Sequence, residues 1–463
     1  MSIVSSIIVL VAALGVIPAP KEARMSGREF NKANISNVRY KNSARLAGEA
    51  YVLKIAAKGI TVRYSSEAGR FYAEKTLGQI ARQDKIFCGT IKDEPRFGWR
   101  GFMLDEARHF FGMEKVKEVL DVMAEFKLNR FHWHLTDNQG WRIEIKALPE
   151  LTTVGAIGCE TDKQAPARYY TQDEIREIVR YAAERHIEIV PEIEMPGHAR
   201  AAVRSLPEID GQNGTLNPGS ERTYEVIETI LREVAALFPG RYIHIGGDEV
   251  LNKKWPDLPE VTALMEREGY QNIQEMQNHF CRRAAAIVTS LGKEVLAWDD
   301  LAESGVPAEG TVLQWWRANH PEFYHKAVDG GFRVVVCPHL PMYLDYCQED
   351  WHQVGHIGRN RKTNTMKQIY CFPVEDNPLV LGVQANLWTE HVHNYARLDF
   401  MTYPRLIALA ELAWSSKLDY DSFLARLENV YDWMDGKNLY YYDSRNPSRH
   451  PEPGCPNIRT NNK

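Results

Sequence analysis

Short apolar runs alternate with longer amphipathic stretches along most of this chain. Runs of strand length, rich in Val, Ile and aromatic residues, fall at 101–104, 130–135, 187–191, 242–245, 294–298, 311–315, 333–336 and 380–384. Between most of them apolar residues recur at helical spacing, over 114–127, 172–185, 220–238, 273–291 and 320–328, and a further helix is expected at 403–415. The alternation predicts an α/β protein whose residues 98–435 form a (β/α)8 barrel. An open doubly wound sheet is the competing architecture, but no Gly-x-Gly-x-x-Gly turn follows the first strand.

Ahead of the barrel the texture is mixed. Residues 51–55 and 60–64 read as two strands joined at Lys58-Gly59, and a helix opens near Ser66 with Ala73, Leu77 and Ile80 on one face. These predict a small α+β domain over 17–97, linked by residues 93–96; residues 436–463 form a C-terminal extension. Residues 3–17 are apolar apart from Ser5, Ser6 and Gly15, shorter than the roughly 20 residues of a transmembrane span. Small residues follow, although the early Lys or Arg of an export signal is missing. Residues 1–16 are read as a signal peptide, with a buried first strand as the alternative; its removal would place the protein outside the cytoplasm.

The polar residues that look chemical collect where the barrel strands end. They are Asp105 with Glu106, Asp137, Glu192 with Glu194, Asp248 with Glu249, Trp298 with Asp299 and Asp300, and Trp388 with Glu390. Strand ends of a barrel converge on one face, where active sites are built. The strongest local pattern runs from Tyr242 to Glu249, a strand followed by Gly246, Gly247 and two adjacent carboxylates. Adjacent carboxyls are poorly placed to flank a scissile glycosidic bond at about 5–10 Å separation, as two-carboxylate glycosidases require. They suit a scheme in which one protonates the leaving oxygen while the other orients a nucleophile belonging to the substrate.

Composition narrows the partners. A net charge of -5 without basic clusters argues against nucleic acid. The 11 Trp and 21 Tyr suit sugars, whose C–H faces stack on aromatic rings. Seven cysteines, an odd number with no Cys-x-x-Cys pair, indicate neither a zinc knuckle nor a redox motif. His132-x-His134 supports a competing reading, since metal-dependent barrel hydrolases present ligands at this spacing. A non-catalytic sugar-binding protein is a third possibility, although its signature would be loss of the Asp-Glu pair.

Five motifs carry a resemblance: Arg100 to Phe110 (RGFMLDEARHF), His132 to Arg142 (HWHLTDNQGWR), Pro191 to His198 (PEIEMPGH), His244 to Glu249 (HIGGDE) and Leu387 to Glu390 (LWTE). In this order they resemble glycoside hydrolase family 20, the β-N-acetylhexosaminidases, over about residues 17–415, although the N-terminal domain is short for that family. The resemblance implies that Glu249 is the general acid and then base, and that Asp248 orients the substrate's acetamido group. It further implies that Tyr343 bonds the acetamido oxygen and that Trp298, Trp316 and Trp388 wall its methyl group and the ring. Arg100 with Glu390, joined by Asp345, would grip the outer hydroxyls, and Asp137 with His198 would support Glu249. The implied substrate is a glycan or chito-oligosaccharide with a terminal β-linked N-acetylhexosamine. It would be cleaved with retention and without a cofactor or metal.

Overall fold

The computed structural model describes residues 14–356 and 363–456. The small domain is a five-stranded sheet of β1 (Glu22–Glu29), β2 (Val38–Asn42), β3 (Tyr51–Ala56), β4 (Gly59–Tyr64) and β5 (Phe87–Asp93), in the order β1-β5-β3-β4-β2. Strict alternation in β3 and β4 turns Tyr51, Leu53, Ile55, Ile60 and Val62 inward and leaves Lys54 and Arg63 outside. The helix Glu67–Arg82 packs Tyr72, Ala73, Leu77 and Ile80 into the same core; Ser66 caps it by accepting from the Gly69 N–H.

The barrel is the architecture its alternation predicts. β6 (Trp99–Asp105), β7 (Arg130–His134), β8 (Glu188–Met195), β9 (Tyr242–Gly246), β10 (Glu294–Trp298), β11 (Thr311–Trp315), β12 (Arg333–Val336) and β13 (Val380–Leu387) are all parallel, and β13 pairs with β6 to close the cylinder. The crossover from β10 to β11 carries only the 3-10 turn Asp299–Glu303, which keeps its carboxylates at the barrel mouth. β8 runs to Met195, so Glu192 and Glu194 belong to the strand instead of following it.

Inside the cylinder, Trp99, Val190, Tyr242, Leu296, Val312 and Val335 form an apolar layer. A polar group centred on His132, Glu192, His244, Gln314 and Gln384 is also buried within the barrel. Among the described residues no helix is long and apolar enough to cross a membrane, and the seven cysteines are free thiols.

The expected signal peptide lies for residues 1–13 outside the described residues. Leu14 and Val16 are buried in the small-domain core, beside Ile17 in the barrel's own core. Gln79 exchanges two hydrogen bonds with the Ile17 backbone at 2.8 and 2.7 Å. Arg426 donates to the Val16 carbonyl at 2.8 Å and pairs with buried Glu411. Trp414 donates its indole N–H to Asp93 at 2.9 Å, and Lys127 meets the same carboxylate at 3.0 Å.

Arg100 belongs to this seam, which corrects its expected place in a sugar grip. It lies near the start of β6, fully buried, at the barrel end opposite the carboxylates. Its guanidinium is spent on Glu49 (2.8 and 3.2 Å), the Tyr72 hydroxyl (3.1 Å) and the carbonyls of Phe97 and Lys127.

Candidate active site

At the C-terminal end of the barrel a cavity of about 600 Å³ is lined by Asp137, His198, Asp248, Glu249, Trp316, Tyr343, Asp345, Trp388 and Glu390. All nine were expected at the site from the sequence. Its geometry begins with the turn after β9. Gly246, Gly247 and Glu249 adopt φ of 66°, 97° and 49°. A Cβ on Gly246 would lie 1.9 Å from Glu194 Oε2, and one on Gly247 2.1 Å from Leu301 Cδ1. Only glycines fit both the left-handed backbone and the space.

This turn separates the two carboxyls. Asp248 is buried, with Oδ1 lacking a hydrogen-bond partner. Burial pushes it up to about 7 against the opposing pull of His198, and Asp300, Glu192 and Glu249 add to the rise. The Glu249 side chain is 59% exposed, with Oε2 3.5 Å from His198 Nε2. His198 holds Glu249 below the ordinary carboxylate range.

A chain of charge lies behind His198. Its Nδ1 is 3.1 Å from Asp137 Oδ1, and Asp137 also takes Arg108 at 2.8 Å and His134 Nε2 at 3.1 Å. Against the cost of burial, Arg108 and then His198 hold Asp137 far down. Burial works against charge on His198, but Asp137 raises it well above an ordinary imidazole.

Arg108 is the arginine that meets Glu390, at 3.6 Å, with its guanidinium 4.9 Å from the centre of the Trp388 ring. It was missed, although it stands in the same motif as Arg100; its place just past the end of β6 was the available signal. Beyond it, Asp345 is buried with Oδ1 unpartnered, and burial, reinforced by Glu390, drives its carboxyl well up. Tyr343 stands 6.0 Å ring to ring from Trp388.

Trp316, not Trp315, faces the cavity. Its indole donates to Asp300 at 3.3 Å and its backbone N–H to Asp299 at 3.2 Å, while Trp315 packs on Tyr324. Trp298 does not line the cavity: only 1% exposed, it donates to Glu192 at 2.9 Å and backs Trp388 from 5.9 Å. Glu194, one of the chemical-looking strand-end carboxylates, lines the cavity buried with Oε2 unpartnered, and Arg317, bonded to Asp300, lines it without having been foreseen.

The histidines of the competing metal reading are hydrogen-bonded within the barrel, although His132, Glu192 and His244 lie close enough to share an ion. His132 Nε2 meets Glu192 at 2.9 Å while its Nδ1 receives the Gln384 amide at 3.0 Å. Both nitrogens of His134 face carboxylates.

The family model for glycosyl hydrolase family 20, catalytic domain, matches residues 97–417, and that for domain 2 of the family matches 21–94. A β-hexosaminidase of Vibrio furnissii is 39% identical over 407 residues, covering 80% of this chain and 66% of its own length. One from Porphyromonas gingivalis is 36% identical over 439 residues, covering 86% of this chain and 55% of its own. The chain thus spans less than two thirds of these two relatives. The crystal structure of a Vibrio harveyi exo-β-N-acetylglucosaminidase with N-acetylglucosamine superposes with a TM-score of 0.84 at 32% identity, covering 93% of this chain and 78% of that one.

Proposed function

The chain belongs to glycosyl hydrolase family 20, and from that premise we propose that it is an exo-acting β-N-acetylhexosaminidase. On this reading it removes terminal β-linked N-acetylglucosamine or N-acetylgalactosamine from glycans or chito-oligosaccharides. The observation that carries the reading is the division made by the β9 turn. One carboxyl of the adjacent pair is buried with an unsatisfied oxygen, while the other is exposed and backed by an imidazole.

The unsatisfied Asp248 Oδ1 suits the N–H of a 2-acetamido group, which it would orient so that the acetamido oxygen attacks the anomeric carbon. The positive oxazolinium that forms favours ionised Asp248, which burial first and the neighbouring carboxylates next hold near 7. Glu249 gives its proton to the leaving oxygen, then takes one from the water that opens the oxazolinium, and configuration is retained. A sugar covering Glu249 strips water from its carboxyl and raises its proton affinity. Arg108, Asp345 and Glu390 close the far end of the cavity and would bond the outer hydroxyls, which makes the action exo. Trp316, Trp388 and Tyr343 supply the walls, with Trp298 supporting Trp388 from behind.

Aryl β-glycosides of N-acetylglucosamine, N-acetylgalactosamine and glucose test the reading. The glucoside, lacking the internal nucleophile, is expected to turn over at least about 10³-fold more slowly; equal rates would overturn substrate assistance. Glu249→Gln is expected to lose far more rate on poor leaving groups than on activated aryl glycosides.

A further inference from the structure

Glu192 has no part in the scheme above, yet it is a completely buried carboxylate that meets four ring N–H or N positions. Its Oε2 lies 2.9 Å from His132 Nε2 and 2.5 Å from His134 Nδ1. Its Oε1 lies 2.8 Å from His244 Nδ1 and 2.9 Å from Trp298 Nε1. A packed barrel needs no such cluster, because an apolar layer fills the cylinder at Trp99, Val190 and Leu296 without one.

The partners decide the protons. Gln384 donates to His132 Nδ1, so that ring carries its hydrogen on Nε2 and is neutral; burial pushes it down to about 4. His134 differs. Its Nδ1 faces Glu192 and its Nε2 faces Asp137 at 3.1 Å, and an ionised carboxylate only accepts. Arg108 comes within 3.3 Å of the same Nε2 but has its own closer acceptor in Asp137, at 2.8 Å. With Glu192 and Asp137 both held ionised by their cationic neighbours, both nitrogens of His134 carry hydrogen. The other ionisable groups around the ring are Asp105, Arg108, His132, His244 and Glu194, the last with Oε1 3.9 Å from Nδ1. Burial opposes the second proton, but Glu192 above all, then Asp137, raises His134 to about 10.

We propose that Glu192 is a positioning residue: from within the barrel it holds His134 as an imidazolium against Asp137, and through Asp137 and His198 it sets the electrostatic field at Glu249. The groups run Glu192, His134, Asp137, His198, Glu249 in alternating sign, with steps of 2.5, 3.1, 3.1 and 3.5 Å. The other charges at Glu249 are Arg108, Arg317 and Asp248. The proposal rests on Glu249 being the acid and base.

Glu192→Gln keeps the shape but removes the charge that requires the second proton on His134. Loss of that positive charge lets Glu249 keep its proton to higher pH. The basic limb of the kcat profile should move up by about half a pH unit, with kcat down roughly tenfold on poor leaving groups. A merely structural role would lower the rate at every pH without moving the limb, and that result overturns the proposal.

Ring-15N-labelled histidine in the wild-type protein gives a second readout that needs no Glu192 variant. His134, assigned with His134→Gln, should show both ring nitrogens protonated up to about pH 8, and a neutral His134 at pH 7 sinks the idea. The two levels separate cleanly. A Glu249→Gln protein indifferent to leaving group removes the functional reading. A normal Glu249→Gln response with an unmoved Glu192→Gln profile removes only the role of Glu192.

Discussion

Arg100 and Arg108 flank β6 at its two ends, both buried, both paired with carboxylates, and they are built for opposite purposes. Around Arg100 each guanidinium nitrogen has a partner: the Lys127 carbonyl at Nε, Glu49 and the Phe97 carbonyl at Nη1, Glu49 and Tyr72 at Nη2. Around Arg108, Nε has none, and neither do nearby Asp345 Oδ1, Asp248 Oδ1 and Glu194 Oε2. A saturated end fastens two domains. An unsaturated end bears the cost of burying polar atoms that a bound polar ligand can satisfy.

The largest contrast should come from replacing each arginine with methionine, which keeps bulk and removes charge. Arg108→Met is expected to lower kcat/KM by about 10²–10³-fold, because a buried charged contact to substrate is lost. Its melting temperature should fall too, because buried Asp137 and Asp105 lose their guanidinium, so activity is the readout that separates the two. Arg100→Met strands Glu49 and opens the seam, costing ~3 kcal/mol of stability, and should lower the apparent melting temperature by several degrees while kcat stays within about twofold. Thermal denaturation alongside steady-state kinetics on one aryl substrate reads both. A crossed outcome, with activity lost at Arg100 and kept at Arg108, would break the comparison.

A smaller effect sharpens it through pH. Glu106, beneath the loop that carries Arg108, accepts from the Phe111 N–H at 2.7 Å and meets the Tyr170 hydroxyl at 2.8 Å. Burial raises it to about 8 from an ordinary 4.5. Between those values the folded chain keeps a proton that the unfolded chain releases, so stability falls as pH rises through that window. Glu106→Gln should flatten the loss of melting temperature between pH 5 and pH 8 and leave pH 5 stability little changed. Arg100, at the other end, stays charged throughout.

The barrel was legible because each strand is a short apolar run and six of its helices have clear periodicity. The small domain was half legible. β3 and β4 alternate cleanly, but β1 and β2 expose most of their side chains, so no apolar rhythm marks them. The helix Tyr420–Gly436 was absorbed into the barrel without being singled out. At the site, Asp248, Glu249, Asp137 and Glu390 stood out because they follow strand ends. Arg100 was misassigned because one motif spans β6 from bottom to top, and likeness to a motif does not say which end an arginine occupies. Trp298 ends its strand, but only the Glu192 hydrogen bond tells that its ring turns into the barrel. Glu192 stood among the chemical-looking carboxylates, but its place inside the barrel was hidden because β8 runs four residues past the apolar stretch.

The contact between Trp414 and Asp93, with the grip of Glu411 and Arg426 on Val16 and Ala19, bears on how the chain is made. A ribosome delivers the small domain and the first barrel strand long before residues 411–426 emerge. Until then Leu14, Val16 and the Asp93 carboxylate lack their far partners, and Arg100 waits beside an incomplete wall. The seam is therefore a latch that engages last. A chain interrupted before Trp414 would hold its candidate site residues but keep its two domains together without the latch, through contacts such as those of Arg100 and Lys127.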